Sequence, residues 1–117
     1  MDARTDLGRR GEDAAAAFYV RNGYRVVDRN FRCSEGELDL VAARRGVIVF
    51  CEVKTRVTDH FGLPAEAMSI RKQRRLRRLA ARWLQLRRPG AADVRFDVVS
   101  VIVRDGRPQL THIPDAF

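Results

Sequence analysis

The segments Gly36-Glu37-Leu38-Asp39-Leu40 and Phe50-Cys51-Glu52-Val53-Lys54 combine carboxylates and a lysine at strand spacing. Side chains alternate faces along a strand, so Glu37 and Asp39 share one face with Leu38 and Leu40 opposite, and Glu52 and Lys54 share a face in the second segment. A two-residue loop at Arg45-Gly46 pairs Arg44 with Val47, Asp39 with Glu52 and Glu37 with Lys54, which gathers all four polar groups on one face. A loop one residue longer would separate them. Opposed carboxylates repel and call for a cation. Lys54 supplies one, and hard oxygen ligands of this kind also suit Mg²⁺ or Mn²⁺, with coordination positions left for water and phosphate. A surface ladder of ion pairs would produce the same pattern. The functional reading gains weight because Val47 to Val53 is almost wholly apolar, as in a central strand covered on both faces, and charges at the end of such a strand usually have a purpose.

The elements that position these residues can be read from periodicity. From Thr5 to Asn22, Leu7, Gly11, Ala14, Ala15 and Phe18 form one helical face, stopped by Gly23. Gly8 and Gly11 inside that helix predict a close approach of another element. Tyr24–Phe31, Glu37–Ala43 and Val47–Lys54 read as three strands in a meander, and Thr55–Leu63 as a polar loop. Pro64 opens a short helical turn. Ser69 then caps a helix from Ile70 to Arg88, ended by Pro89-Gly90. Val94–Val103 is a β-branched strand, Asp105-Gly106 a hairpin turn, and Gln109–Ile113 a short returning edge strand. This is an α/β fold in the order α-β-β-β-α-β with a C-terminal edge strand. The 117 residues form a single domain with a folded unit over about residues 5–113.

Charge is unevenly distributed. The chain carries +8, and of its 23 cationic residues only Lys54 and Lys72 are lysines. Nine cations and no acid lie between Ser69 and Arg88, so the positive excess belongs to one helix, as expected of a footprint on a polyanion. Arg71, Lys72, Arg74, Arg75 and Arg78 are the candidate phosphate contacts on it, and Arg56, after the second acidic strand, is another. Leu76, Leu79, Ala80, Trp83 and Leu84 form the apolar face, which places Trp83 in the core. A membrane-surface helix is disfavoured because that stripe must cover the sheet. With no long apolar run and no signal-peptide pattern, the expectation is a soluble, cytoplasmic protein. Cys33 and Cys51 are read as free thiols, Asp97 as a buried paired carboxylate, and His60 and His112 as non-ligands.

Gly11-Glu12 with Ala15, Gly36-Glu37-Leu38-Asp39-Leu40, Glu52-Val53-Lys54-Thr55-Arg56, Arg95-Phe96-Asp97-Val98-Val99 and Asp115-Ala116-Phe117 together resemble the YraN-like uncharacterised proteins, over nearly the whole chain. That family is placed in the restriction-endonuclease-like, PD-(D/E)xK, superfamily, and Asp39, Glu52 and Lys54 match its signature. The resemblance implies a central mixed sheet flanked by helices. It also implies that Asp39 and Glu52 hold Mg²⁺ or Mn²⁺, that Lys54 positions or activates the attacking water, and that Glu12 joins as an outer ligand. Val53 would add a carbonyl, and Glu37 would orient Lys54. Cys51 departs from the family pattern, standing where a larger aliphatic residue is usual.

The function expected from the residues and the resemblance together is metal-dependent hydrolysis of DNA phosphodiester bonds, on branched or repair intermediates. A homodimer would present two sites, and a protein partner is a further expectation. The alternatives are a non-catalytic nucleic-acid-binding module and a protein-interaction subunit of a DNA-processing complex.

Overall fold

A computed structural model describes residues 3–57 and 68–117, with side chains from residue 6 onward in the first helix. The elements are α1 (Ala3–Arg21), β1 (Arg25–Cys33), β2 (Gly36–Arg44), β3 (Val47–Arg56), α2 (Ile70–Arg87), β4 (Asp93–Arg104) and β5 (Arg107–Ile113). The expected Pro64 turn and His60 lie outside the described residues.

The five strands lie side by side in chain order, antiparallel except for the parallel β3–β4 pair. A parallel pair requires a crossover, and α2 provides it. The two helices take opposite faces. Leu76, Leu79, Ala80 and Trp83 of α2 pack with Val41, Ile48, Phe50, Phe96 and Val98, while Ala15 and Tyr19 of α1 pack with Leu40, Ala42, Val49, Cys51, Val99 and Val101. Central strands β3 and β4 are therefore covered on both sides, which accounts for their continuous apolar runs. Among the described residues no helix is long and apolar enough to cross a membrane.

The Arg45-Gly46 turn has φ of 48° and 79°, the geometry of a two-residue hairpin loop matched to strand twist. It sets the expected register, from Arg44 opposite Val47 to Leu40 opposite Cys51. At Asp105-Gly106 the same kind of turn pairs Arg104 directly with Arg107, so β5 is longer than expected. Pro108 is tolerated in it because β5 is an edge strand. On α2, the Ser69 hydroxyl accepts a hydrogen bond from the Lys72 amide at 3.1 Å, and Arg88 closes the far end in the left-handed conformation with φ 46°.

Gly11 is where α1 touches the sheet. A Cβ built there would fall within the side chain of Thr55 on β3, 2.8 Å from its Cβ. Nothing lies within 4 Å of a Cβ built on Gly8, so the close approach expected at both glycines exists at Gly11 alone.

Candidate active site where two strands part

The β2–β3 ladder runs as far as Leu40 opposite Cys51, while β3 continues beside β4 to Arg56 and β2 beside β1 to Gly36. The two strands thus separate at the level of Asp39. Leu38 belongs to the apolar cluster under α2 and Leu40 to the cluster under α1, although residues two apart on a regular strand share a face. The alternation changes phase around Asp39. This corrects the expectation that Leu38 and Leu40 lie together and that Asp39 stands in regular pairing with Glu52.

In place of a backbone ladder bond, the Asp39 carboxylate accepts a hydrogen bond from the Val53 amide at 2.8 Å. Burial drives the Asp39 carboxyl up to about 7, and the charge of Glu52 adds to the rise against the opposing effect of the Val53 hydrogen bond. Glu12 and Glu37 act in the same direction but more weakly. Asp39 thus lies out of water and within reach of three like charges.

Glu52 lies on the face of β3 that looks toward α2, and there Lys72 Nζ meets its Oε1 at 2.8 Å. Burial lowers the Lys54 pKa, and the neighbouring Lys72 lowers it further. For Lys72, burial is outweighed by the hydrogen bond and charge of Glu52, and its pKa is raised. Lys72 is ion-paired with Glu52, and Lys54, the chain's other lysine, lies near enough to both to feel their charges.

Glu52 lies close enough to Asp39 for its charge to raise the Asp39 pKa, and close enough to Lys54 to act on that ammonium, although the ladder ends before the pairs that the spacing predicted. Glu37 is not joined to Lys54: beyond Leu40 it faces β1, where it pairs with Arg32 at 3.2 Å. Glu12 lies near enough to influence Asp39, and lines a groove of about 520 Å³ between α1 and β1–β2 together with Arg9, Arg29 and Glu37. Among the described residues no three His, Cys, Asp or Glu side chains form a metal-holding group. The oxygens of Asp39 and Glu52 are of the hard kind that Mg²⁺ takes, commonly one or two carboxylates with water and phosphate completing the shell.

Ser69, Arg71, Lys72, Arg75 and Arg78 line a groove of about 360 Å³ beside this site. Arg78 also pairs with Glu35 at 3.0 Å, and Arg74 is exposed on the adjoining face of α2. Arg56 ends β3 close enough to Lys54 to depress its pKa. By sequence Lys72 groups with the exposed cations, yet it precedes Leu76, Leu79 and Trp83 by four, seven and eleven residues. That is the spacing of the sheet-facing stripe, and it is the signal that could have placed this lysine.

Residues 11–101 match Uncharacterised protein family UPF0102. The chain belongs to this family. A UPF0102 protein of Frankia alni is 52% identical over 118 residues, covering 100% of this chain and 98% of the relative. One from Rhodococcus jostii is 47% identical over 112 residues, with 95% of each chain covered. Another, from Geobacter metallireducens, is 44% identical over 111 residues, or 95% of this chain and 91% of the relative. The YraN-like resemblance read from the motifs is to this same family.

A second polar cluster in this UPF0102 chain is separate from the site. Asp97 is 1% exposed and accepts from Arg95 at 2.8 Å through each oxygen, from the Tyr19 hydroxyl at 2.7 Å and from the Asp115 amide at 3.0 Å, with His112 Nε2 at 2.8 Å. Burial alone would raise the Asp97 pKa, but these bonds outweigh it and hold the carboxyl below its usual range. Asp97 is the buried, paired carboxylate expected from sequence, and it locks β4 to α1, β5 and the C-terminal segment. Tyr19, fully buried at the centre of this cluster, is absent from the helix face read by sequence, although it follows Ala15 by four residues. Cys51 is buried beside Tyr19, and both cysteines are free thiols as expected.

Proposed function

We propose that this UPF0102 chain is a small metal-dependent nuclease that hydrolyses DNA phosphodiester bonds with Mg²⁺ or Mn²⁺, acting on branched or repair intermediates. The observation that carries the reading is the buried Asp39 carboxyl where β2 and β3 part, with the charge of Glu52 acting on it and on Lys54. Two carboxylates held near each other and half-buried favour a divalent cation, and a lysine near one of them favours a phosphate.

Asp39 and Glu52 would hold the ion, which when bound supplies a water of lowered pKa and positive charge toward the phosphate. Lys54, on the same face of β3 as Glu52, orients that water and a phosphate oxygen as a compact donor. The Val53 amide holds the Asp39 carboxylate in place at 2.8 Å, so the geometry is set before substrate arrives. Arg71, Arg75 and Arg78 present a cationic groove beside the site for the flanking backbone, and such contacts carry no base specificity.

The test is incubation of the purified protein and its Asp39→Ala and Lys54→Ala variants with labelled linear, flapped and four-way-junction DNA, in Mg²⁺, Mn²⁺ or EDTA. Cleavage by wild type alone, and only with metal, supports the proposal. Salt-sensitive binding without cleavage would favour a non-catalytic nucleic-acid-binding module instead, and neither binding nor cleavage a protein-interaction role.

A further inference from the structure

The position of Lys72 is the feature that metal-dependent hydrolysis leaves unexplained. Its backbone is anchored by the Ser69 cap in the first turn of α2, and its side chain descends on the sheet-facing stripe to Glu52 at 2.8 Å. The pair is largely withdrawn from water, with side-chain exposures of 25% for Lys72 and 13% for Glu52. On its outward side, Lys72 lines the same groove as Arg71, Arg75 and Arg78. One ammonium therefore lies between a carboxylate that the site would use for metal and a groove suited to phosphate.

We infer that Lys72 is a positioning residue that competes with divalent metal for Glu52 and exchanges that carboxylate for a substrate phosphate, so that metal and nucleic acid favour each other's binding. This rests on the nuclease reading above. A divalent ion beside Glu52 and an ammonium on the same carboxylate repel each other, so each weakens the other's hold. A phosphate entering the groove offers Lys72 a second anionic partner and frees Glu52. By linkage, metal bound first must favour phosphate by the same factor.

The choice of side chain supports this role. Arginine serves nearly every other cationic position in the chain, and its planar fork would clamp Glu52 through two bonds. Lysine is a point charge on a flexible stem, able to leave one oxygen for another. Of the chain's two lysines, the one on α2 is at this carboxylate and the other, Lys54, is two residues along β3 from it.

The test is titration calorimetry of the full chain with Mn²⁺ in the absence of DNA, comparing wild type with Lys72→Gln and Lys72→Arg, each checked for folding by circular dichroism. Lys72→Gln should bind Mn²⁺ roughly 3- to 10-fold more tightly, and Lys72→Arg more weakly than wild type. A role limited to stability would tighten neither. A duplex oligonucleotide with a cleavage-resistant backbone should raise the Mn²⁺ affinity of wild type by a larger factor than that of Lys72→Gln. Wild-type binding that Lys72→Gln leaves unchanged or weakens would overturn the competition and leave the nuclease reading standing. Absence of Mn²⁺ binding in all three proteins, with and without DNA, would overturn both.

Discussion

Asp39 accepts the Val53 amide hydrogen bond at 2.8 Å at the point where the backbone ladder between their strands has ended. A side chain here takes the place of a strand, and it does so with a carboxyl that burial and Glu52 push up to about 7. The arrangement is costly whenever Asp39 is ionised.

That cost is measurable. A folded-state pKa above the unfolded value of 3.8 means that the native state holds its proton longer, so this group's contribution to stability falls as pH rises from about 4 to about 7. Asp39→Asn keeps an acceptor for Val53 and removes the charge. In EDTA it should be more stable than wild type at pH 8 by on the order of 2–4 kcal/mol and close to wild type at pH 4, as measured by urea unfolding. Addition of Mg²⁺ should narrow the gap at pH 8.

The two signature positions should separate in their effects. Asp39→Ala should lose both Mn²⁺ binding and cleavage, while Lys54→Ala keeps Mn²⁺ binding and loses about 10²- to 10⁴-fold in turnover. Calorimetry beside single-turnover cleavage distinguishes them. Equal loss of metal by Lys54→Ala would remove that lysine from the role assigned to it.

Salt dependence should report the basic groove. Replacing Arg71 or Arg75 by alanine should weaken binding to unrelated DNA sequences alike and reduce the slope of log affinity against log salt by about one for each phosphate left without its cation. Fluorescence anisotropy at several salt concentrations measures both quantities.

Asp97 should matter for folding rather than chemistry. Asp97→Ala strands Arg95, Tyr19 and His112, and should cost about 3–5 kcal/mol in urea unfolding. Because the folded-state pKa of Asp97 is depressed, its contribution is present above the unfolded value and is lost as acid protonates it, so the variant's deficit should shrink at low pH.

The two helical glycines of α1 should respond with opposite signs. Gly11→Ala forces a methyl into Thr55 and should destabilise by about 1–3 kcal/mol, whereas Gly8→Ala meets open space and should stabilise by about 0.5–1 kcal/mol. Thermal melts of the two single variants decide the matter.

Much of this molecule was legible locally. The Arg45-Gly46 turn determined the β2–β3 register, the apolar run of β3 announced a strand covered on both faces, and Ser69 marked the start of α2. Each depends on residues close in sequence, through backbone conformations that particular side chains favour or an alternation that burial enforces. The same turn led to the expectation that Asp39 faces Glu52 in the ladder, which ends one step earlier, at Leu40 and Cys51.

What the tertiary structure alone decided lies where elements distant in sequence compete for one residue. Asp39 leaves regular pairing because β2 follows β1 while β3 follows β4, a parting that no period within either strand encodes. Glu37 turns to Arg32 for the same reason. Lys72 meets Glu52 because the crossover helix lays its first turn over the end of β3, and Tyr19 meets Asp97 because α1 packs across the opposite face. Strand alternation and helical period are local rules, whereas the placement of a charge depends on which surfaces the packed core leaves adjacent.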